Sequence, residues 1–161
     1  MTAEPDPQLV ATAYHEAGHA VMSLELNRPI ERISIAPKEL RSGYCKLHKS
    51  VHGPLKDAVE TEVLILLGGV GAEARHTGDY DWEAGSGDLR LVRELLNMQP
   101  SNDRALRRQE TRLLDKMEHI LDQPGVWTAV ERIAKELLRE TSISGRAARE
   151  LHQQAKRQAR D

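Results

Sequence analysis

Residues 63–74, VLILLGGVGAEA, limit what this chain can fold into more than any other stretch. The run is apolar on nearly every side of a helix, so the helix has to be buried all round rather than along one stripe. It is far shorter than the roughly 20 apolar residues that a membrane span requires. Gly68, Gly69 and Gly71 are poor helix formers in its middle, and they make sense where another backbone approaches closely. The chain is therefore expected to wrap its other elements around one central helix, residues 54–76. Composition agrees with this. There is no Phe and aromatic residues make up 3% of the chain. The core has to come from Leu, Val, Ile, Ala and Met, which favours helix over sheet.

The other elements read from caps and periods. Asp6 followed by Pro7 is a good helix start, a capping carboxylate and then a proline in the first turn. Apolar residues recur at helical spacing from Leu9 to Leu24, and Asn27-Arg28-Pro29 stops the helix. Residues 31–36, ERISIA, alternate as a half-buried strand does. Residues 43–49, GYCKLHK, read as its hairpin partner across a turn at 37–43. Residues 78–87, GDYDWEAGSG, form an acidic loop rich in turn formers. Helices are expected from about Ser86 to Pro100, from a cap at Ser101 or Asn102 to about Asp122, from Pro124 to about Glu140, and from a cap at Ser144. The polar end HQQAKRQARD is expected to fray from about residue 153, as are residues 1–6. The fold class is thus mainly α, or α+β with one small β-hairpin, in a single domain over residues 1–161.

The formal charge is −2 with 30% charged residues, which gives no field for nucleic acid or an anionic membrane. The single Cys45 forms no internal disulfide. The acidic start MTAEPDPQ lacks the basic and apolar regions of a signal peptide. These features point to a soluble, cytoplasmic protein without a membrane segment.

Residues 15–19, HEAGH, carry the chemistry. On a helix, positions i and i+4 lie on one face, so His15 and His19 can aim two imidazoles at one metal. Zinc takes imidazole nitrogen well, and catalytic zinc sites use three protein ligands with one position open. Glu16 lies one residue round the helix, beside that open position, where a general base is needed. Ala17 and Gly18 leave room for substrate. With 7 His in the chain, chance would produce HExxH about 0.03 times per shuffled sequence.

The third ligand is not local. In one class of such enzymes the motif continues as HExxHxxGxxH, but here Met22 takes the glycine position and Glu25 the last histidine position. Ten residues further along remain as candidates: His48, His52, Glu60, Glu62, Glu73, His76, Asp79, Asp81, Glu83 and Asp88. Asp88 has one local argument in its favour, since it follows GSG in the first turn of an expected helix. A capping acid would sit in the same place.

TAYHEAGHAV (12–21) resembles the active-site helix of the FtsH-type ATP-dependent zinc metalloproteases. ERISIAPKELRSGYC (31–45) is similar to their strand, turn and second strand. VLILLGGVGAEARHTGD (63–79) resembles their LLGGRxAE helix, AGSGDLRLV (84–92) their GASNDL segment, and VERIAKELLRETSISGRAARELH (130–152) their closing helices. The order holds over roughly residues 8–152. The resemblance implies an HExxH zincin-like helical peptidase domain with one zinc held by His15, His19 and Asp88. It makes Glu16 the general base and Glu73 a support for a zinc histidine. It also implies a metalloendopeptidase that hydrolyses bonds in peptides or unfolded proteins. The family's membrane helices and ATPase have no counterpart here, and no GxxxxGK[ST] phosphate loop occurs. A stand-alone peptidase domain without intrinsic ATPase is therefore expected, with room for a homo-oligomer or a separate ATPase partner. The alternative is a non-catalytic binding or regulatory module of the same fold with a structural or latent zinc site.

Four other features have plainer readings. His48 and His52 read as exposed, Trp82 as a packing anchor for the acidic loop, and Trp127, in step with Val130 and Ile133, as core. Arg104, Arg107, Arg108 and Arg112 alternate with acids and describe a solvated helix face.

Overall fold

The computed structural model describes residues 3–37, 44–47, 55–82, 86–98 and 101–161. Six helices and three short strands follow one another among them: α1 (Pro7–Glu25), β1 (Ile30–Ser34), β2 (Tyr44–Leu47), α2 (Leu55–Thr77), α3 (Ser86–Asn97), α4 (Asp103–Leu121), α5 (Val126–Glu140), β3 (Ser142–Ser144) and α6 (Gly145–Arg160). The chain is mainly helical, as its aliphatic composition requires.

Local chemistry sets the helix ends. The Asp6 carboxylate accepts from the Gln8 amide at 3.0 Å, with Pro7 in the first turn. Asn102 accepts from the Ala105 amide at 2.8 Å, and Ser144 from the Ala147 amide at 3.1 Å. Each side chain satisfies one of the amides that a helix start leaves open. After α1 the chain turns at Asn27, whose φ of +59° suits asparagine better than most residues. α5 starts at Val126 rather than Pro124, because Gly125 takes a φ of +83° in the turn between them.

α2 is the expected centre. It packs against α1, α3 and α4, while α1 also packs against α5, and α5 against α6. Val63, Leu64, Ile65, Leu67 and Val70 of α2 are buried, as are Leu113, Met117 and Leu121 of α4. α1 and α2 run antiparallel, since His15 meets Glu73, His19 meets Ile65 and Arg28 meets Glu62. Gly18 and Gly68 lie at their crossing. A side chain on Gly18 would run into the Gly68 carbonyl, so the two backbones touch without intervening side chains.

The hairpin expectation holds: β1 and β2 pair antiparallel, with Ile33 opposite Cys45 and Ser34 opposite Tyr44. The sheet has a third strand, in the order β2-β1-β3. From sequence, residues 142 and 143 carry no element of their own, between a helix ending near Glu140 and the Ser144 cap. They become a strand because Ile143 pairs with Ile33 across about 110 residues of chain, a contact that no local pattern records. Where fraying was expected from residue 153, the chain is helical to Arg160, with His152 and Ala155 buried. The turn over 38–43, Pro54, Pro100 and most of the loop before Ser86 lie outside the described residues. Among those described, no helix is long and apolar enough to cross a membrane.

Candidate metal centre

α1 and α3 bring three donor groups together. His15 Nε2 lies 2.6 Å from Asp88 Oδ2, and His19 Nε2 lies 3.1 Å from the same oxygen. One ligand atom of each residue falls within 4.8 Å of the others. The i, i+4 spacing puts both rings on one side of α1, their centroids 4.6 Å apart and their planes nearly perpendicular. Asp88 sits in the first turn of α3. Leu89, Val92 and Leu96, on the adjoining face of that helix, are buried, so the carboxylate is carried on an anchored element.

Second contacts orient the rings. His19 Nδ1 donates to the Ile65 carbonyl at 2.8 Å. That bond leaves the lone pair of a neutral imidazole on Nε2, aimed at Asp88. His15 Nδ1 faces Glu73 Oε2 at 3.5 Å. Glu16 is buried, with 6% of its surface exposed, and its charge acts on His15. Burial works against a charged His15, but the bonds to Asp88 and Glu73 and the charges of Asp88 and Glu16 outweigh it. The His15 pKa is held well above the ordinary imidazole value. Burial would raise Asp88, yet its bonds to His15 and His19 hold it well below the usual carboxylate range.

This donor set fits a divalent cation such as zinc. Two imidazole nitrogens and one carboxylate oxygen match the ligand types of a catalytic zinc site, whose ligand atoms lie roughly 3.3–3.5 Å apart. His19 Nε2 and a carboxylate oxygen of Asp88 face each other at 3.1 Å, an approach that takes a proton or a cation between them. Three carboxylates, those of Asp88, Glu73 and Glu16, act on one imidazole, an excess of negative charge that a divalent ion offsets.

The other candidates are placed elsewhere. Glu60 binds Lys116 and Arg112, and Glu62 lies 3.4 Å from Arg28. His76 stacks on Tyr14 with centroids 3.9 Å apart, and Asp79 and Asp81 are exposed. His48, His52 and Glu83 lie outside the described residues. Trp82 stacks on Tyr80 at 4.7 Å, as a packing anchor does, while half its surface stays exposed. Trp127 is partly buried against the core, beside Tyr14 and under the Arg75 guanidinium. Arg104, Arg107, Arg108 and Arg112 are exposed on α4. A cavity of about 200 Å³ between α2 and α4, lined by Arg75, Tyr80 and Glu118 among others, is separate from the donor set. Its polar groups are already used, Tyr80 by Glu118 and Arg75 by Asp122. Sequence reasoning missed the Ile65 carbonyl, because a backbone acceptor leaves no mark in residue identity.

The chain is 34% identical over 90 residues to the ATP-dependent zinc metalloprotease FtsH of Ruminiclostridium cellulolyticum, a match covering 52% of this chain and 14% of that protein. It is a distant relative of FtsH. No family model matches the chain.

Proposed function

We propose that this chain is a zinc-dependent metalloendopeptidase, an FtsH-like and zincin-like helical peptidase domain acting on peptides or unfolded proteins. The main support is the meeting of His15, His19 and Asp88, 69 and 73 residues apart in sequence, around one point. The distant FtsH similarity supports the same reading.

In this reading His15, His19 and Asp88 hold one zinc. Zinc bound there supplies Lewis acidity, which polarises the scissile carbonyl and makes a water easier to deprotonate. The Ile65 carbonyl fixes the tautomer of His19, and Glu73 does the same service for His15 from its outer nitrogen. Glu16 takes a proton from the attacking water onto a carboxylate oxygen. It then delivers that proton to the departing amine nitrogen, so that the C–N bond breaks to give a neutral amine. These 161 residues carry no phosphate loop, so the segment itself acts on chains that are already unfolded. Folded substrates would need a homo-oligomeric assembly or a separate ATPase to present them.

The Glu16→Gln variant tests the reading. It keeps the shape and removes the base, so zinc-loaded protein should lose at least about 100-fold in the rate of cleaving an unfolded protein. Equal rates for wild type and variant would remove the enzymatic claim. Zinc binding without cleavage would leave a non-catalytic module with a structural or latent zinc.

A further inference from the structure

The glycines of the central helix divide their work. Successive residues on a helix point about 100° apart, and each glycine of the LLGGVG run faces a different neighbour. Gly68 faces the Gly18 backbone and Met22, and Gly71 faces the thioether of Met117. Gly69 faces the imidazole of His19. A Cβ at residue 69 would stand 2.6 Å from both ring nitrogens and closer still to Cε1. The close approach read from the sequence is here to a side chain rather than a backbone.

That ring has nowhere to retreat. Its Nδ1 is bonded to Ile65, one turn before Gly69 on the same helix, and its flank lies edge-on against His15. The residue is buried, with 8% of its surface exposed. Any shift that clears a new methyl group breaks the bond to Ile65 and takes Nε2 off the point it shares with His15 and Asp88. Helix propensity pulls the other way, since alanine is the better residue in the middle of a helix.

We infer that Gly69 is a positioning residue for the metal centre, its missing side chain being the seat that holds the His19 imidazole on target. This rests on reading His15, His19 and Asp88 as zinc ligands. It assigns Gly69 a role apart from that of Gly68, whose neighbours are helix backbone and Met22.

Zinc affinity measured by chelator competition on the full chain tests it, with helicity and thermal unfolding followed on the metal-free protein. The Gly69→Ala variant should stay folded and bind zinc at least about 10-fold more weakly, as loss of a ligand's supporting contact does. A folded variant with wild-type zinc affinity overturns the inference. If Gly69→Ala fails to fold, the double variant His19→Ala with Gly69→Ala decides. Recovery of the fold shown by His19→Ala alone confirms that the imidazole is what the methyl group meets. Failure of the double variant where His19→Ala folds overturns it. A wild type that binds no zinc defeats the reading of the metal centre instead. The seat is then still decided in the metal-free protein: Gly69→Ala should lower its thermal stability with His19 present and not in the His19→Ala background.

Discussion

Helix α1 carries two carboxylate–imidazole clusters built on opposite principles. At its C-terminal end, Glu25 meets His152 Nε2 at 2.6 Å and Lys156 Nζ at 2.8 and 2.9 Å. Donors and acceptors match there, and the ammonium balances the carboxylate. The cluster is complete and ties α1 to α6. In the middle of the helix, His15 Nε2 and His19 Nε2 converge on one Asp88 oxygen, and three carboxylates act on His15. That cluster calls for a cation. Glu25 holds the position where the extended motif of other zinc enzymes places a third histidine. Six residues after His19, it is turned about 240° round the helix and faces α6 instead. Similar residue types on one helix thus make a tether or a candidate metal site, depending on whether their charges and protons are already matched.

The sharpest way to break the comparison is to move a residue from one role to the other. Asp88→Ala should weaken zinc binding by at least about 100-fold, beyond what losing a supporting contact costs. Glu25→Ala should leave zinc affinity unchanged. A chelator competition on both variants checks this, and equal losses would merge the two clusters into one. Next in size is stability. Glu25→Ala removes a nearly buried charged acceptor and should cost about 2–3 kcal/mol in urea unfolding. Burial raises the Glu25 pKa, but the bonds to His152 and Lys156 more than reverse this and hold it low. Its stabilisation is therefore complete above the ordinary carboxyl value and lost as pH falls through the lower folded one. Wild type and Glu25→Ala should converge in stability in acid.

A subtler difference lies in protons. Because His15 is held protonated in the metal-free protein at neutral pH, zinc binding should release about one proton and strengthen as pH rises. Calorimetry in buffers of different ionisation enthalpy measures this, and zero release would contradict it. The smallest effect belongs to a region outside both clusters. Tyr80→Phe removes the bond to Glu118 and should cost about 1 kcal/mol with zinc affinity unchanged. A fall in affinity would tie the Tyr80–Trp82 stack to the metal centre.

What was legible in the sequence followed the range of the interaction. The Asp6, Asn102 and Ser144 caps, the β1–β2 hairpin, and the buried run 63–70 all come from patterns within short stretches of chain, and all appear in the fold. His15 and His19 were legible because one helical turn brings them together. Asp88 was not singled out by local chemistry. Its partners lie 69 and 73 residues away; its place in the first turn of a helix is shared with any capping acid, and the ordered resemblance of five segments is what selects it. β3 and the Glu25–His152 pair were missed for the same reason, being joined across 108 to 127 residues. Gly69 was half legible: glycine announced a close approach, but only the fold shows an imidazole approaching.

Metal content of the protein purified at neutral pH without chelator tests the central claim most directly. About one zinc per chain is expected in wild type, and close to none in the double variant His15→Ala with His19→Ala. Less than roughly a tenth of an equivalent in wild type would contradict the claim, leaving the two histidines as ordinary partners of Asp88 in a helical core.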